Sequence, residues 1–178
     1  MFRGAHTGSV DDKFRLKMPA LVRNALLAKY ENPGVFITSL TGEDVRVYPV
    51  SEWEAVERRL SQTSENAGPM DGDIKTKILL QANHHGADGA LDNQGRILIP
   101  APLREGAGMR GEVFLQWSRN HILVLNAEAY GTRMSGADLN KNELARAADL
   151  GVGFLRIRGE TLGALPGPPR RSRAVPGD

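Results

Sequence analysis

The chain has 178 residues, enough for one ordinary domain or two small ones, and its 40% hydrophobic content is compatible with a folded core. It contains no cysteine, which excludes disulfides, a thiolate nucleophile and cysteine-ligated metals. The apolar runs are far too short to span a bilayer, and the N-terminal segment MFRGAHTGSV lacks the apolar region of a signal peptide. We therefore expect a cytoplasmic protein.

The net charge is only +2, but the charges are unevenly distributed. Residues 1–30 contain six basic and two acidic side chains, whereas residues 31–65 contain three basic and seven acidic ones. One interpretation is a basic surface on the first part of the chain that binds a polyanion such as nucleic acid. The alternative is an ordinary solvated surface with uneven charge.

A segment near the N-terminus recurs in the middle of the chain. Residues 10–23, VDDKFRLKMPALVR, align without gaps with residues 91–104, LDNQGRILIPAPLR. Such a duplication predicts two similar structural units. The identical pairs are Asp11/Asp92, Arg15/Arg96, Pro19/Pro100, Ala20/Ala101 and Arg23/Arg104.

Each copy is followed by two apolar segments rich in Val, Ile and Phe, which predict two strands. Each unit is therefore expected to run strand, turn, strand, short helix, strand, strand and closing helix. The prolines of the repeat, Pro19 and Pro100, suit the first turn of the short helices. The closing helices are predicted to open at Ser51, with Glu54 completing a capping box, and at Asn126.

The two halves are expected to be joined by a helix. Asp71 is a candidate cap for this helix, and an apolar stripe follows it at Ile74, Ile78 and Leu79. The expected organisation is a first half at residues 1–66, a linking helix at 67–90 and a second half at 91–135.

The C-terminal part of the chain has a different character. Residues 136–162 predict a helix, with modest apolar contacts from Leu139, Ala145 and Leu150, and a short strand. Residues 163–178 are rich in proline, glycine and arginine, and they offer too little apolar surface to offset the entropy of ordering. We expect this tail to be disordered.

The D-x-x-x-R spacing of both copies is explained by a turn. Residues four apart in an extended strand are separated by about 13 Å, but DNQG favours a type I turn that brings Asp92 back toward Arg96. An arginine held in this way either has a structural role or offers its free N–H groups to phosphates or a guanine edge. Both interpretations stay open for the second copy. In the first copy, Lys13 and Lys17 flank Arg15, which favours nucleic-acid binding.

Several segments in order resemble the MraZ family of bacterial transcriptional regulators: MFRG, DDKFRL, YPVSEW, DNQGRILIP and LREGAG, over residues 1 to about 130. The resemblance implies a mainly β fold with short helices, in which duplicated β-α-β-β units form one swapped-hairpin AbrB-like barrel. It also implies a ring-shaped homo-oligomer that binds short direct repeats of promoter DNA upstream of a division and cell-wall gene cluster, and hence a nucleoid-associated protein.

The family's D-x-x-x-R arginine contributes to DNA contact, which implies this role for Arg15, with Arg96 as its second-half counterpart. We expect the first copy to contact DNA and the second mainly to build the barrel and the subunit contact. The expected DNA-binding residues are Arg15, Lys13, Lys17, Arg3 and Arg23. We expect no cofactor, no metal, no membrane association and no small-molecule substrate.

One residue departs from the family pattern. The family usually has glycine before the first arginine, as Gly95 stands in the second copy, but this chain has Phe14. A positive φ at this position would cost a bulky residue about 1–2 kcal/mol. We therefore expect the first turn to be differently shaped, in preference to an exposed Phe14 that contacts a base or sugar.

Two other classes of protein are alternatives. A barrel enzyme could use Asp11 and Asp92 as paired carboxylates, but the arginine after each acid would hold it ionised. The adjacent His84 and His85 have no acidic residue at ligand spacing on the same helix, so we expect a helix-end or surface role for them. An AbrB-fold antitoxin, which would bind DNA and a toxin, stays open because residues from 137 onward have no assigned role.

Overall fold

A computed structural model describes residues 2–30, 34–62 and 69–152 of the chain. The described residues up to 137 belong to one compact unit, and those from 138 to 152 belong to another. The predicted short strand after residue 152 and the predicted disordered tail lie outside the described residues.

The order of elements predicted for each half is present in both. A short strand at Ala87–Gly89 lies inside the range predicted as the linking helix, and the domain boundaries themselves stay predictions. The first half contains β1 (Ala5–Val10), β2 (Arg15–Lys17), α1 (Ala20–Lys29), β3 (Val35–Thr38), β4 (Val45–Pro49) and α2 (Val50–Ser61). Then follow α3 (Pro69–His85), β5 (Ala87–Gly89), β6 (Arg96–Leu98), α4 (Ala101–Gly106), β7 (Gly111–Ser118), β8 (His121–Asn126) and α5 (Ala127–Ser135).

The eight strands form one antiparallel sheet, in the order β5-β3-β4-β8-β7-β1-β2-β6, that curls into a nearly closed barrel. Strands of the two halves are interleaved, because β1 pairs with β7, β2 with β6, β3 with β5 and β4 with β8. This arrangement confirms the predicted fold class, a mainly β AbrB-like barrel with short helices. Each half therefore completes the sheet of the other.

The barrel interior is filled by alternate residues of its strands. Leu16 of β2 and Ile97 of β6 face each other in register and are 0% and 1% exposed. Because side chains alternate along a strand, the burial of this pair turns the neighbouring residues of both strands outward. Other fully buried side chains around them are Ile37, Ile99, Leu103, Met109, Leu115 and Ile122.

A smaller aromatic cluster fixes α2 and α3 on the sheet. Trp53 of α2 stacks on Phe36 at 4.7 Å between ring centroids and meets Tyr48 edge-on at 5.2 Å. Ala82 of α3 is fully buried in the same cluster. Of the predicted stripe on α3, Ile74 is 48% exposed, so this face of the helix is only partly covered.

The helix starts were predicted with mixed success. The Asn126 side chain accepts a hydrogen bond from the Ala129 N–H at 2.7 Å, which confirms it as the cap of α5. The capping box at Ser51 is wrong: α2 begins at Val50, with Pro49 in the cap position and no side-chain cap. Strand β4 ends at Pro49, whose φ of −55° lets the chain enter the helix directly.

The other predicted starts are displaced by one to three residues. Pro19 and Pro100 occupy the cap positions of α1 and α4, immediately before the first turn in which they were expected. Helix α3 begins at Pro69, so Asp71 lies inside its first turn and does not precede it. An acid in a first turn still interacts favourably with the helix dipole.

The described part of the C-terminal unit contains helix α6 (Lys141–Asp149), as predicted. Asn140 caps it, because its side-chain oxygen accepts from the N–H of Glu143 at 3.1 Å while the Glu143 carboxylate accepts from the Asn140 N–H at 2.8 Å. The predicted apolar contacts of Leu139 and Leu150 are wrong, since these side chains are 56% and 76% exposed.

No helix within the described ranges is both long enough and apolar enough to cross a membrane.

Candidate nucleic-acid interface

The first acid–arginine turn, residues 11–15, is organised around the carboxylate of Asp11. One carboxylate oxygen accepts from the backbone N–H groups of Lys13 at 3.0 Å and Arg15 at 2.9 Å. The other accepts from Nε of Arg15 at 2.8 Å and forms an ion pair with its Nη2 at 2.7 Å. The predicted contact between acid and arginine is confirmed, and its geometry fixes the direction of the guanidinium.

The second turn, residues 92–96, repeats this geometry. Asp92 accepts from the backbone N–H groups of Gln94 at 2.8 Å and Arg96 at 2.9 Å. Its second oxygen meets Nε of Arg96 at 2.8 Å and Nη2 at 2.7 Å. Two halves that differ in sequence therefore build the same turn.

These contacts keep both acids ionised. The side-chain hydrogen bond from Arg15 is the largest cause that lowers the pKa of Asp11 to about 2, and the Arg15 backbone N–H adds to it. For Asp92, the backbone hydrogen bond from Arg96 is the largest cause of a lowered pKa. An acid–base pair of carboxylates would need one of them protonated near neutral pH, which this environment opposes.

The sheet brings the two turns together on one outer face. In the antiparallel pairing of β2 with β6, Arg15 lies opposite Leu98 and Lys17 lies opposite Arg96. All four side chains point outward, because the residues between them fill the barrel. Asp92 also contributes to the raised pKa of Arg15, after the larger effect of Asp11, as expected of neighbouring turns. We call the surface formed by Arg15, Lys17, Arg96 and Leu98, together with the adjacent Lys13, the cationic face.

The left-handed position of the two turns is occupied by different residues. Phe14 has a φ of 57° and Gly95 has a φ of 72°. The carbonyls of both residues accept equivalent hydrogen bonds, from the N–H groups of Ile99 at 2.9 Å and Met18 at 3.2 Å. The expectation that Phe14 gives the first turn a different shape is therefore wrong, since the surrounding hydrogen bonds impose the same conformation on both.

Arg23 and its repeat partner Arg104 lie against these two positions. Arg23 covers Gly95 so closely that a Cβ there would lie 2.6 Å from its Cδ atom. The guanidinium carbon of Arg104 lies 5.1 Å from the ring centroid of Phe14, and that of Arg110 lies at the same distance. Arg23, which was expected to bind DNA, thus packs against the second turn, and Phe14 of the first turn contacts two arginines.

Arg3 is not brought to the cationic face. Arg3 precedes β1 and Asp11 follows β1, so the length of this six-residue strand, roughly 20 Å, separates the two residues. Arg3 instead lines a cavity with Phe2, Gly4 and Trp117. Sequence reasoning placed it with the other cations from charge alone, which does not report distance.

Sequence reasoning missed Arg104 and Arg110 as part of this region. Arg104 had a signal, because it is the repeat partner of Arg23, but its position against Phe14 depends on the fold. Arg110 lies outside the repeat and had none.

The His84–His85 pair is at the end of α3, where His85 Nδ1 lies 3.0 Å from the carbonyl oxygen of Gln81. Across the described part of the chain, no group of three or more His, Cys, Asp or Glu side chains is placed to hold a metal ion.

An interleaved barrel of two similar halves, with paired acid–arginine turns on one cationic outer face, defines the class of protein to which this chain belongs: the tandem AbrB-like barrels. No family model matches the chain. It is 35% identical to the transcriptional regulator MraZ of Koribacter versatilis over 152 residues, which cover 85% of this chain and 100% of that protein.

Other relatives agree with this match. The identity is 36% to the transcriptional regulator MraZ of Acidobacterium capsulatum, again over 85% of this chain and 100% of the relative. It is 34% to that of Idiomarina loihiensis, over 73% of this chain and 82% of the relative. The chain belongs to the MraZ family of transcriptional regulators, which confirms the resemblance and supports a regulatory rather than a catalytic role.

Proposed function

We propose that this protein is a sequence-specific DNA-binding regulator that contacts DNA through the cationic face. The observation that supports this most directly is the pairing of β2 with β6, which groups Arg15, Lys17 and Arg96 on one surface beside the turn that contains Lys13. Lysines and arginines on an exposed strand pair can contact phosphates, while a fixed guanidinium can donate two hydrogen bonds to a guanine edge.

Arg15 is proposed as the residue that contacts base edges, with Lys13 and Lys17 on the phosphates. The ion pair to Asp11 uses the Nε and Nη2 groups of Arg15, and its side chain stays 34% exposed. Arg96 is less exposed, at 22%. The residue of β6 that lies opposite Arg15 is the apolar Leu98. We therefore assign DNA contact mainly to the first turn, and barrel and subunit contacts mainly to the second.

The proposed partner is promoter DNA with short direct repeats, upstream of a division and cell-wall gene cluster, and the proposed working form is a homo-oligomeric ring associated with the nucleoid. One subunit offers few phosphate contacts, and each contributes a salt slope of only about −0.9. Linked copies raise affinity by roughly 10² to 10⁴ without new contacts, provided the repeats match their spacing.

An electrophoretic shift against the protein's own upstream DNA tests this proposal. Duplexes with one, two and three repeats in helical phase should be compared at fixed salt, with a scrambled duplex of equal length as the control. We expect tight binding that requires at least two repeats. Equal affinity for one repeat, three repeats and the scrambled duplex would contradict the proposal.

A further inference from the structure

We propose that Arg104 and Arg110, positioned by the ring of Phe14, form an additional contact to DNA phosphates beside the first acid–arginine turn. This inference rests on the proposed DNA-binding function and extends its surface beyond the cationic face. The contact would be sequence-independent, because phosphates contain no base information.

The position of Phe14 links this pair of arginines to the first turn. Phe14 lies between Asp11 and Arg15 in the chain, and its N–H donates to the Asp11 carbonyl at 2.8 Å. Its ring is half-buried and packs against the edge of the core. An arginine placed against this ring is therefore close to the turn that holds Arg15.

Both guanidinium groups contact this one ring. Each guanidinium carbon lies 5.1 Å from the ring centroid, within the range of a cation–π contact. The two carbons are consequently within twice that distance of each other, which is about the axial length of three nucleotides on one DNA strand. Neighbouring phosphates of a single strand can thus meet both.

The positive charge of the pair is not compensated by acidic side chains. Among the described residues, neither Arg104 nor Arg110 has a carboxylate partner within ion-pair distance, in contrast to Arg15, Arg46 and Arg96. Arg104 uses its Nε to donate to the Ile99 carbonyl at 3.0 Å, which leaves its terminal NH₂ groups available. Arg110 is exposed. Two like charges gathered on one ring attract an anion.

The second turn does not have the same arrangement. Its left-handed residue is Gly95, which has no ring, and the repeat partner of Arg104, Arg23, lies close against this glycine. The Nε and Nη2 atoms of Arg23 lie 3.4 and 3.5 Å from the side-chain oxygen of Asn24. The phenylalanine in the first turn therefore makes the two halves unequal, and adds cations on the side where Arg15 lies.

Salt titration of DNA binding tests this inference on the full-length protein. Arg110→Gln is the main variant, since the exposed side chain can be shortened with little effect on the core. Arg119→Gln is the matched control, because Arg119 is also exposed and flanks β7 at its opposite end, roughly 26 Å away. The probes are a duplex from the protein's own upstream region and an unrelated duplex of equal length.

We expect Arg110→Gln to flatten the slope of log affinity against log salt by about 0.9, on both duplexes alike, and Arg119→Gln to leave it unchanged. Phe14→Leu keeps an apolar side chain but removes the ring that positions the two guanidinium groups. It should weaken binding by about two- to fivefold on both duplexes, which corresponds to the strength of an exposed cation–π contact. Equal effects of Arg110→Gln and Arg119→Gln would overturn the inference, because they would indicate net charge alone.

Arg15→Ala separates failure of the inference from failure of the proposed function. If the wild type binds its upstream duplex and Arg15→Ala does not, while Arg110→Gln retains the full salt slope, the additional contact is wrong and the function stands. If the wild type binds neither duplex, the proposed function fails with the inference.

Discussion

The left-handed residue of each acid–arginine turn shows what single positions contribute to this protein. Phe14 and Gly95 adopt the same backbone conformation although only glycine favours it. The hydrogen bonds from Ile99 and Met18, together with the aspartate at the centre of each turn, determine the conformation for both. The residue at this position therefore changes what the turn touches and not its shape.

Gly95→Ala should destabilise the protein by about 1–2 kcal/mol, because the added Cβ is strained at a φ of 72° and lies 2.6 Å from the Arg23 Cδ atom. Gly131→Ala is the control, since Gly131 lies inside α5 with no atom near its added Cβ. That change should stabilise by about 0.5–1 kcal/mol. Thermal melts compare the two, and equal stability of Gly95→Ala and wild type would contradict the account.

At the scale of elements, local chemistry determined some features and the fold determined others. The second turn followed from D-x-x-x-R with Gly95, and the strands from apolar alternation, so the order of the elements was predictable. The shape of the first turn was not predicted, because the hydrogen bonds around Phe14 impose a conformation that glycine favours. The start of α2 was not, because Pro49 passes directly from β4 into the helix and Ser51 has no capping role. The contacts of Arg104 and Arg110 with Phe14 were also unpredictable, since they join segments about ninety residues apart in the chain.

The starts of the two closing helices, α2 and α5, differ in whether a side chain caps them, and this difference can be tested. Asn126→Ala should cost about 1–2 kcal/mol, because it removes both the cap to Ala129 and the hydrogen bond from Asn126 Nδ2 to the Ala107 carbonyl. Ser51→Ala, the equivalent change in α2, should alter stability by less than about 0.5 kcal/mol. Chemical denaturation measures both. If Ser51→Ala costs as much as Asn126→Ala, the capping box at Ser51 exists after all.

The whole compact unit is built from strands that find their partners in the other half. Every first-half strand pairs with a strand that follows α3: β1 with β7, β2 with β6, β3 with β5 and β4 with β8. Leu16 and Ile97, one from each half, meet in the centre of the pairing that presents the cationic face. The DNA-binding surface proposed here therefore exists only when both halves are folded together.

Residues 1–66 expressed alone should consequently fail to fold as a soluble monomer, because each of the four strands would lose a pairing edge and the core would be marginal at this size. Circular dichroism melts with size-exclusion chromatography measure this, with residues 1–137 as the control that should melt cooperatively. A cooperative melt of monomeric 1–66 would show that the halves are independent.

The most direct test of the central claim is the DNA affinity of Arg15→Ala and Arg96→Ala, each measured beside its melting temperature. We expect Arg15→Ala to leave the melting temperature and the oligomer size unchanged and to weaken binding to upstream DNA by about 1–3 kcal/mol per engaged subunit. Arg96→Ala should mainly lower the melting temperature, because the Arg96 side chain is less exposed than that of Arg15. If Arg96→Ala stays fully folded and loses DNA while Arg15→Ala binds normally, the roles of the two turns are reversed and the account is wrong.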